Sequence, residues 1–177
     1  MQYLGRYTSP LGAITLGSDG ESLIGLWFDG EKFFCDKITE DTEEGNLPVF
    51  DTTRRWLDVY FSGKEPDFTP PLKEAGSDFQ LAVWQILRTI PFGHTVTYGD
   101  IAGRIARQRG LARMSAQAVG GAVGHNSISI IVPCHRVVGA NGSLTGYAGG
   151  VDKKQKLLTL EGVDMSRLFV PRRGTAL

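Results

Sequence analysis

Cys134 and His135 are adjacent in the sequence, with Pro133 before them and Arg136 after them. A thiol attacks only as the thiolate, and a neighbouring base or positive charge lowers its pKa from about 8.5. His135 suits the role of base, since an imidazole titrates at about pH 6.5 and accepts a proton directly or through one water. The pair indicates a nucleophilic cysteine; a structural cysteine buried beside a core histidine is the alternative.

Two further polar residues are candidates to support His135. Glu161 ends a predicted helix, where a carboxylate meets the negative pole of the helix and loses about 0.3–1 kcal/mol. Such a placement favours a functional role, in which Glu161 orients and polarises His135. Asn126 precedes an apolar run at 128–132, a predicted buried strand that leads to Cys134, and is a candidate for another hydrogen bond. A surface glutamate and a turn asparagine are the alternatives.

The second half of the chain is predicted to be mostly helical. Ser77 caps one helix with an apolar stripe, and Thr97 with Asp100 has the spacing of a capping box for the next. A loop with three arginines follows: Arg107, Arg109 and Arg113. Ser115 then caps a helix that runs through Val123. The last two helices resemble a helix-turn-helix with a long connection.

Glycines and turns divide the rest of this half. Gly120 and Gly121 lie inside a predicted helix, where each costs about 1 kcal/mol relative to alanine. Small residues there permit the close approach of a neighbouring helix or of a nucleic-acid backbone. A hairpin-type turn is predicted at Gly142, and a last helix is predicted to be capped by Asp152 and closed by Gly162.

The first part of the chain is predicted to be β-rich. Strand candidates are followed by a surface loop and a helix: 3–7, 13–16, 23–28, the loop 36–46 and the helix from Pro48 to Phe61. Cys35 lies beside two phenylalanines and is predicted to be an inert packed thiol. A linker at 66–76 divides the chain into a first domain 1–76, a second domain 77–165 that contains the Cys134–His135 pair, and a C-terminal tail 166–177 with Arg172 and Arg173.

Composition restricts the class of protein. The 177 residues are 41% apolar and 21% charged, and the two cysteines exclude a disulfide framework and a paired-cysteine zinc site. No run approaches the 18–20 apolar residues, roughly, of a membrane span, and the first residues do not resemble a secretory signal, so a cytoplasmic protein is expected. Residues 1–76 carry 14 acidic and 7 basic side chains, and residues 77–177 carry 5 and 12. The basic part is a candidate to bind nucleic acid; charges scattered over solvated faces are the alternative.

The segment Ile-Val-Pro-Cys-His-Arg-Val-Val at 131–138 resembles the active-site motif of the O6-alkylguanine-DNA alkyltransferases, the methylated-DNA–protein-cysteine methyltransferases. Four other segments agree with that family in order and spacing: 79–84, 90–99, 118–122, and 146–150 leading to 160–162. The resemblance implies an α+β fold. That fold would consist of a small β-rich, ribonuclease-H-like N-terminal domain and a mostly helical C-terminal domain of winged-helix or helix-turn-helix type. By the same resemblance, residues 1–76 would be a scaffold, and residues 77–165 would bind DNA and accept the alkyl group.

The resemblance also implies a reaction and its residues. Cys134 would take the alkyl group from O6 of guanine, and by extension from O4 of thymine, once and irreversibly, with no cofactor or metal. Asn126, His135 and Glu161 would form a hydrogen-bond relay, and Tyr98 would donate a proton to the departing base. The flipped base would be lined by Val137, Tyr147, Ala148 and Gly149. Double-stranded DNA would be contacted from the minor groove, by a monomer, through Gln117, Ala118, Gly120, Gly121 and Arg136.

Two departures and two rival functions remain. Much of the family has arginine where this chain has Gln117, and the zinc ligands that some relatives carry in the first domain have no counterpart here. A Cys-His hydrolase with a turning-over acyl-enzyme would use the same Cys134–His135 pair. A helix-turn-helix regulator without chemistry would use the helices but leaves that pair unexplained.

Overall fold

The computed structural model describes residues 1–172 and divides them into two compact units. The first unit contains residues 1–75 together with 127–131, and the second contains residues 76–126 together with 132 onward. Within the described residues, no helix is both long and apolar enough to cross a membrane.

The first unit is built on a four-stranded sheet of order β3-β2-β1-β4. Its strands are β1 (Gln2–Ser9), β2 (Gly12–Ser18), β3 (Leu23–Phe28) and β4 (Thr42–Glu44). The first three are antiparallel neighbours and confirm the predicted strands. The short β4 runs parallel to β1 and lies inside the stretch predicted as a surface loop. Because its Thr-Glu-Glu sequence joins the sheet edge through backbone pairing, no apolar pattern revealed it.

Helix α1 (Pro48–Phe61) packs against β1 and has the predicted bounds. Pro48 occupies the first turn, where its missing N–H costs nothing. Phe50, Leu57 and Tyr60 are fully buried, whereas Phe61, also predicted to point inward, is half-buried and stacks on Tyr7 at 6.4 Å. The aromatic face of α1 therefore closes the core of this unit.

The predicted strand at 128–132 is wrong, although all but one of its residues are buried. Only Ile128 forms an isolated bridge, to Leu26 of β3. Ile130 adopts a φ of +70°, and the N–H of Ile131 donates to the carbonyl of Ser129 at 2.8 Å, which makes a γ-turn. Apolar composition predicted burial correctly, but a buried apolar run bends as readily as it extends when turns satisfy its backbone.

The first part of the second unit is built on three helices: α2 (Asp78–Leu87), α3 (Tyr98–Arg109) and α4 (Ala116–Gly124). The Thr97–Asp100 capping box of α3 is present, as predicted, and Ser77 and Gln80 form another on α2. Helix α3 continues through the two arginines predicted to lie in a loop, Arg107 and Arg109, and ends at Gly110, whose φ is +65°. The indole N–H of Trp84 donates to the carbonyl of Ala122 at 2.8 Å and so fastens α2 to α4.

The remainder of the second unit surrounds the cysteine motif. A 3-10 turn (Cys134–Arg136) leads into β6 (Val137–Val138), which pairs in parallel with β5 (Val96–Thr97). Helix α5 (Val151–Leu160) follows. Its N-cap is Gly150, so the predicted cap at Asp152 is wrong; Asp152 lies in the first turn, where its charge suits the helix dipole.

The segment after α5 is ordered against the turn at Gly142. A second 3-10 turn covers Met165–Arg167, and Phe169 bridges Ser143 and accepts a hydrogen bond from Leu144 at 2.9 Å. A Cβ at Gly142 would lie 2.1 Å from the carbonyl oxygen of Arg167, so only glycine fits there. Residues 166–169 therefore belong to the packed unit rather than to a tail; Arg173 lies outside the described residues.

Candidate active site

Two short turns fix the backbone of Cys134. Pro133 has φ −83° and ψ 67°, and the N–H of Cys134 donates to the carbonyl of Val132 at 2.8 Å, which is an inverse γ-turn. The Asn126 side-chain N–H donates to the same carbonyl, also at 2.8 Å. The N–H of Val137 then closes the 3-10 turn on the carbonyl of Cys134. Cys134 is buried, so its thiol is held in a defined place within a sheltered site.

Glu161 accepts hydrogen bonds from three donors. Its Oε2 lies 2.5 Å from Nε2 of His135, and its Oε1 accepts from Nε of Arg136 at 2.8 Å and from the N–H of Gly93 at 3.0 Å. The side chains of Glu161 and His135 are fully buried. The carboxylate sits at the C-cap of α5. These donors offset the unfavourable pole of the helix and hold Glu161 against His135.

The pKa directions in this cluster define the protonation state. Burial alone would raise the pKa of Glu161, but the hydrogen bonds from His135 and Arg136, together with the charge of Arg136, outweigh it and hold that pKa well below its usual range. Burial lowers the pKa of His135 more than Glu161 raises it, so the imidazole is neutral at pH 7. With its proton on Nε2, donated to Glu161, the ring keeps the lone pair of Nδ1 for a proton acceptor's role.

Arg136 does not occupy the DNA-contacting position expected of it. Its side chain is buried, and besides Glu161 it donates to the carbonyl of Ile90 at 2.7 Å and lies 5.7 Å from the ring of Phe92. A buried carboxylate requires a counter-charge, and Arg136 supplies it. The arginine therefore belongs to the buried cluster with His135.

Tyr98, the first residue of α3, is brought to the same region. Its hydroxyl donates to the carbonyl of Thr145 at 2.9 Å. Burial, and then the charge of Cys134, raise the pKa of Tyr98 well above its usual value, so the phenol keeps its proton. The ring of Tyr147 packs edge-on to His135 at 6.4 Å, while Ala148 and Gly149 follow it half-buried.

Lys154 is a site residue that the sequence reading missed. It is fully buried on α5, and its Nζ donates to the same Thr145 carbonyl at 2.7 Å and lies 5.8 Å from the ring of Tyr98. Burial lowers its pKa to about 8, although the charge of Cys134 acts in the opposite direction. A signal was present, since Lys154 shares the inward stripe of α5 with Leu157 and Leu158.

The exposed face of α4 carries small residues. Gln117 and Ala118 are exposed and Gly120 and Gly121 are half-buried, while Val119 turns inward. A Cβ on Gly121 would meet no described atom within 4 Å, so no described part of the protein itself requires glycine there. Ser115 caps the helix through the N–H of Ala118, as predicted.

A concavity of about 390 Å³ joins this face to the catalytic region. Its lining is dominated by small residues: Tyr98, Gly99, Ala116, Gln117, Gly120, Gly139, Ala140, Thr145 and Gly146. It thus brings together Tyr98 with two of the residues expected to contact DNA. In residues 1–172 no cluster of three His, Cys, Asp or Glu side chains has the arrangement of a metal site.

Comparison with known proteins identifies both parts of the chain. The family model described as "6-O-methylguanine DNA methyltransferase, ribonuclease-like domain" matches residues 3–73. The model described as "6-O-methylguanine DNA methyltransferase, DNA binding domain" matches residues 78–163. These matches confirm the predicted α+β class, with a ribonuclease-like domain before a DNA-binding domain.

Individual relatives match this chain over most of its length. The methylated-DNA–protein-cysteine methyltransferase of Haemophilus influenzae is 42% identical over 162 residues, which are 91% of this chain and 87% of the relative. That of Methanosarcina acetivorans is 44% identical over 90% of this chain and 98% of its own. The crystal structure of Mycobacterium tuberculosis OGT in complex with DNA superposes with a TM-score of 0.79 at 39% identity, covering 94% of each chain. The chain therefore belongs to the 6-O-methylguanine DNA methyltransferase family, as its motifs indicated.

Proposed function

We propose that this protein repairs DNA by transferring an alkyl group from O6 of guanine to the sulfur of Cys134. The observation that carries the proposal is the buried hydrogen bond between His135 and Glu161. His135 directly follows Cys134 in the sequence, and both lie in the part of the chain that matches the DNA-binding domain of this family. The curated relatives are named for the same transfer, and one solved relative holds DNA.

In the proposed reaction the relay produces a thiolate. Nδ1 of His135 accepts the thiol proton, directly or through one water, and Glu161 stabilises the imidazolium that forms. The thiolate attacks the alkyl carbon, so that an S–C bond forms while the C–O6 bond breaks and its electron pair goes to the guanine. Asn126 supports the relay by holding the backbone that enters Cys134.

Tyr98 supplies the proton that the departing base needs. Because its pKa is raised, it stays protonated until a stronger acceptor arrives. Its hydroxyl donates to the Thr145 carbonyl in the free protein. It must therefore exchange that acceptor for a ring nitrogen of the guanine when the base enters.

The proposed product is a thioether, which is a poor leaving group that water does not displace. Each molecule therefore acts once and needs no cofactor. A hydrolase would release an acyl group from the same thiol and turn over repeatedly. Stoichiometry thus separates the repair protein from the hydrolase.

DNA is proposed to bind from the minor groove through α4. Gln117 and Ala118 are exposed there, and Gly120 and Gly121 permit close approach of the backbone. The damaged base leaves the stack and is lined by Val137, Tyr147, Ala148 and Gly149. We extend the proposal to O4-alkylthymine, in which the alkyl group is also bonded to an exocyclic oxygen. A monomer is proposed because Cys134, His135, Glu161 and Tyr98 all lie in one unit.

The test is a titration with duplex DNA that contains a single O6-methylguanine. We expect the repaired lesions to reach a plateau at one per protein molecule, with no further reaction when fresh DNA is added. Repeated turnover on a chromogenic ester with the lesion intact would favour the hydrolase. Tight sequence-specific binding with neither reaction would favour the regulator.

A further inference from the structure

Lys154 is a fully buried cation, and the reaction proposed above assigns no role to it. Lysines are almost never fully buried without a partner, because an ammonium loses its hydration and its side chain loses conformational freedom. Here the ammonium donates to the Thr145 carbonyl at 2.7 Å and lies over the ring of Tyr98 at 5.8 Å. A methionine would fill an apolar stripe of α5 at lower cost, so packing does not explain a lysine.

Lys154 lies over the ring of one reacting group, Tyr98, and interacts electrostatically with another, Cys134. The Thr145 carbonyl accepts from both the Lys154 ammonium and the Tyr98 hydroxyl, at 2.7 and 2.9 Å. The charge of Cys134 acts on both Lys154 and Tyr98. Lys154 from α5 and Tyr98 from α3 therefore converge on one carbonyl within the electrostatic reach of the sulfur.

We propose that Lys154 is a positioning residue for alkyl transfer: its ammonium stabilises the Cys134 thiolate and, through the Thr145 carbonyl, fixes the Tyr98 hydroxyl. The inference rests on the proposed function and assigns to it a residue outside the relay. The ammonium makes no bond to the substrate and passes no proton in this role.

The charges of Lys154 and Glu161 then both favour proton transfer from the sulfur to the imidazole. Lys154 favours the negative sulfur, and Glu161 favours the positive imidazole. Lys154 and Arg136 both disfavour a charged His135, but the hydrogen bond and charge of Glu161 act on it more strongly. The titratable and charged groups of the site are thus Cys134, His135 and Arg136 on the 3-10 turn, Tyr98 on α3, and Lys154 and Glu161 on α5 and its cap.

The decisive experiment measures the thiol of Cys134 without DNA. Alkylation by iodoacetamide is followed against pH in the full-length protein, and the modified cysteine is quantified by peptide mapping so that Cys35 does not contribute. We expect Lys154→Met to raise the apparent pKa of Cys134 by about one unit, which lowers the alkylation rate at pH 7 about tenfold. Lys154→Arg, which keeps the charge, should remain near the wild-type midpoint.

The matched control is Lys156→Met, which removes an exposed lysine from the same helix and should leave the profile unchanged. The melting temperature of Lys154→Met should equal or exceed that of the wild type, because a buried charge has been removed. If Lys154→Met does not fold, Lys154→Gln, which keeps a donor for Thr145, serves the same comparison. A wild-type alkylation midpoint in the folded uncharged variant, or an equal shift in Lys154→Arg and Lys154→Met, overturns the proposal.

The same variants distinguish this inference from the proposed function. If wild-type protein transfers no methyl group from O6-methylguanine, the proposed function fails, yet the iodoacetamide profile still tests Lys154. If transfer occurs, Lys154→Met should slow it about tenfold at saturating DNA, with the Kd for DNA unchanged, as expected from thiolate stabilisation.

Discussion

The buried cluster around Glu161 and the exposed face of α4 lie in the same unit but differ in what accounts for their residues. Glu161 accepts from His135, Arg136 and Gly93, so the protein's own contacts specify its position completely. Gly121 on α4 would accept a Cβ without touching any described atom. The position of Glu161 is thus explained by contacts within the molecule, whereas Gly121 has no such explanation in the described residues and is accounted for by the proposed contact with DNA.

This difference separates two kinds of substitution. A change in the cluster should reduce chemistry and stability together, because the same hydrogen bonds serve both. A change on α4 should reduce binding while stability stays the same or rises. Variants that mix these outcomes would break the comparison.

The largest effect is expected for Cys134→Ser, which replaces the thiolate with a hydroxyl that is not ionised at pH 7. Methyl transfer should fall below detection while binding to lesion-containing DNA stays within about twofold, as measured by quenched single-turnover assays and fluorescence anisotropy. Cys35→Ser, in the other unit, is the control and should transfer normally. Residual transfer by Cys134→Ser would mean that another atom is the acceptor.

Glu161→Gln should come next, since it removes the counter-charge of the buried Arg136 and leaves one acceptor oxygen where His135, Arg136 and Gly93 use two. Breaking a buried pair costs about 3–5 kcal/mol, so the free energy of unfolding in urea should fall by that order. Transfer should slow about a hundredfold, because the general base His135 loses the carboxylate that stabilises its charged form. Glu65→Gln, the same substitution at an exposed residue of the other unit, should change neither quantity. A wild-type transfer rate in Glu161→Gln would contradict the proposed relay.

Acidification should destabilise the protein through His135 and Glu161. The pKa of native His135 lies below its unfolded value of about 6.5, and that of native Glu161 lies below about 4.3. In both intervals the unfolded chain binds more protons, so stability rises with pH and is lost as pH falls, first below about 6.5 and then below about 4.3. Melting temperatures from about pH 7.5 to about pH 2.5 measure this slope, and Glu161→Gln should flatten the part below about pH 4.3. A profile with no decline across that range contradicts the assignment.

Gly121→Ala should separate binding from folding on α4. The substitution should raise the free energy of unfolding by up to about 1 kcal/mol, because alanine favours the helix. It should weaken DNA binding about tenfold, as the added methyl lies where the DNA backbone approaches. Gly103→Ala in α3 offers the same gain in stability and should bind DNA normally. Undiminished affinity in Gly121→Ala would place the interface elsewhere.

The smallest effect is expected for Gln117→Arg. An arginine there should tighten binding a few-fold and steepen the dependence of log Kd on log salt by about one unit, as one more phosphate contact would. Gln155→Arg on exposed α5 adds the same charge away from the proposed interface. Equal gains in both variants would show that only net charge matters.

Local features of the fold were predictable from the sequence. The Thr97–Asp100 capping box and the bounds of α1 follow from side chains within a few residues of each other. Strands β1 to β3 likewise follow from short apolar runs that are separated by turn residues. Such signals need no knowledge of distant parts of the chain.

Features set by distant contacts were not predictable in the same way. Arg136 was predicted to contact DNA, but its side chain is buried because it donates to Glu161, 25 residues later, and to the carbonyl of Ile90. Lys154 was overlooked because a lysine in a helix is ordinarily solvated, and only the Thr145 carbonyl shows why it is buried. The apolar run 128–132 predicted that these residues are buried. It did not predict the γ-turn, since an apolar pattern carries no information on φ.

The central claim is that Cys134 is a single-use alkyl acceptor. Intact-mass spectrometry after incubation with a duplex containing one O6-methylguanine, followed by peptide mapping, tests it most directly. The account predicts a gain of about 14 Da, confined to Cys134 and limited to one per molecule. An unchanged mass in folded protein with the lesion intact, or a methyl group on another residue, would contradict it.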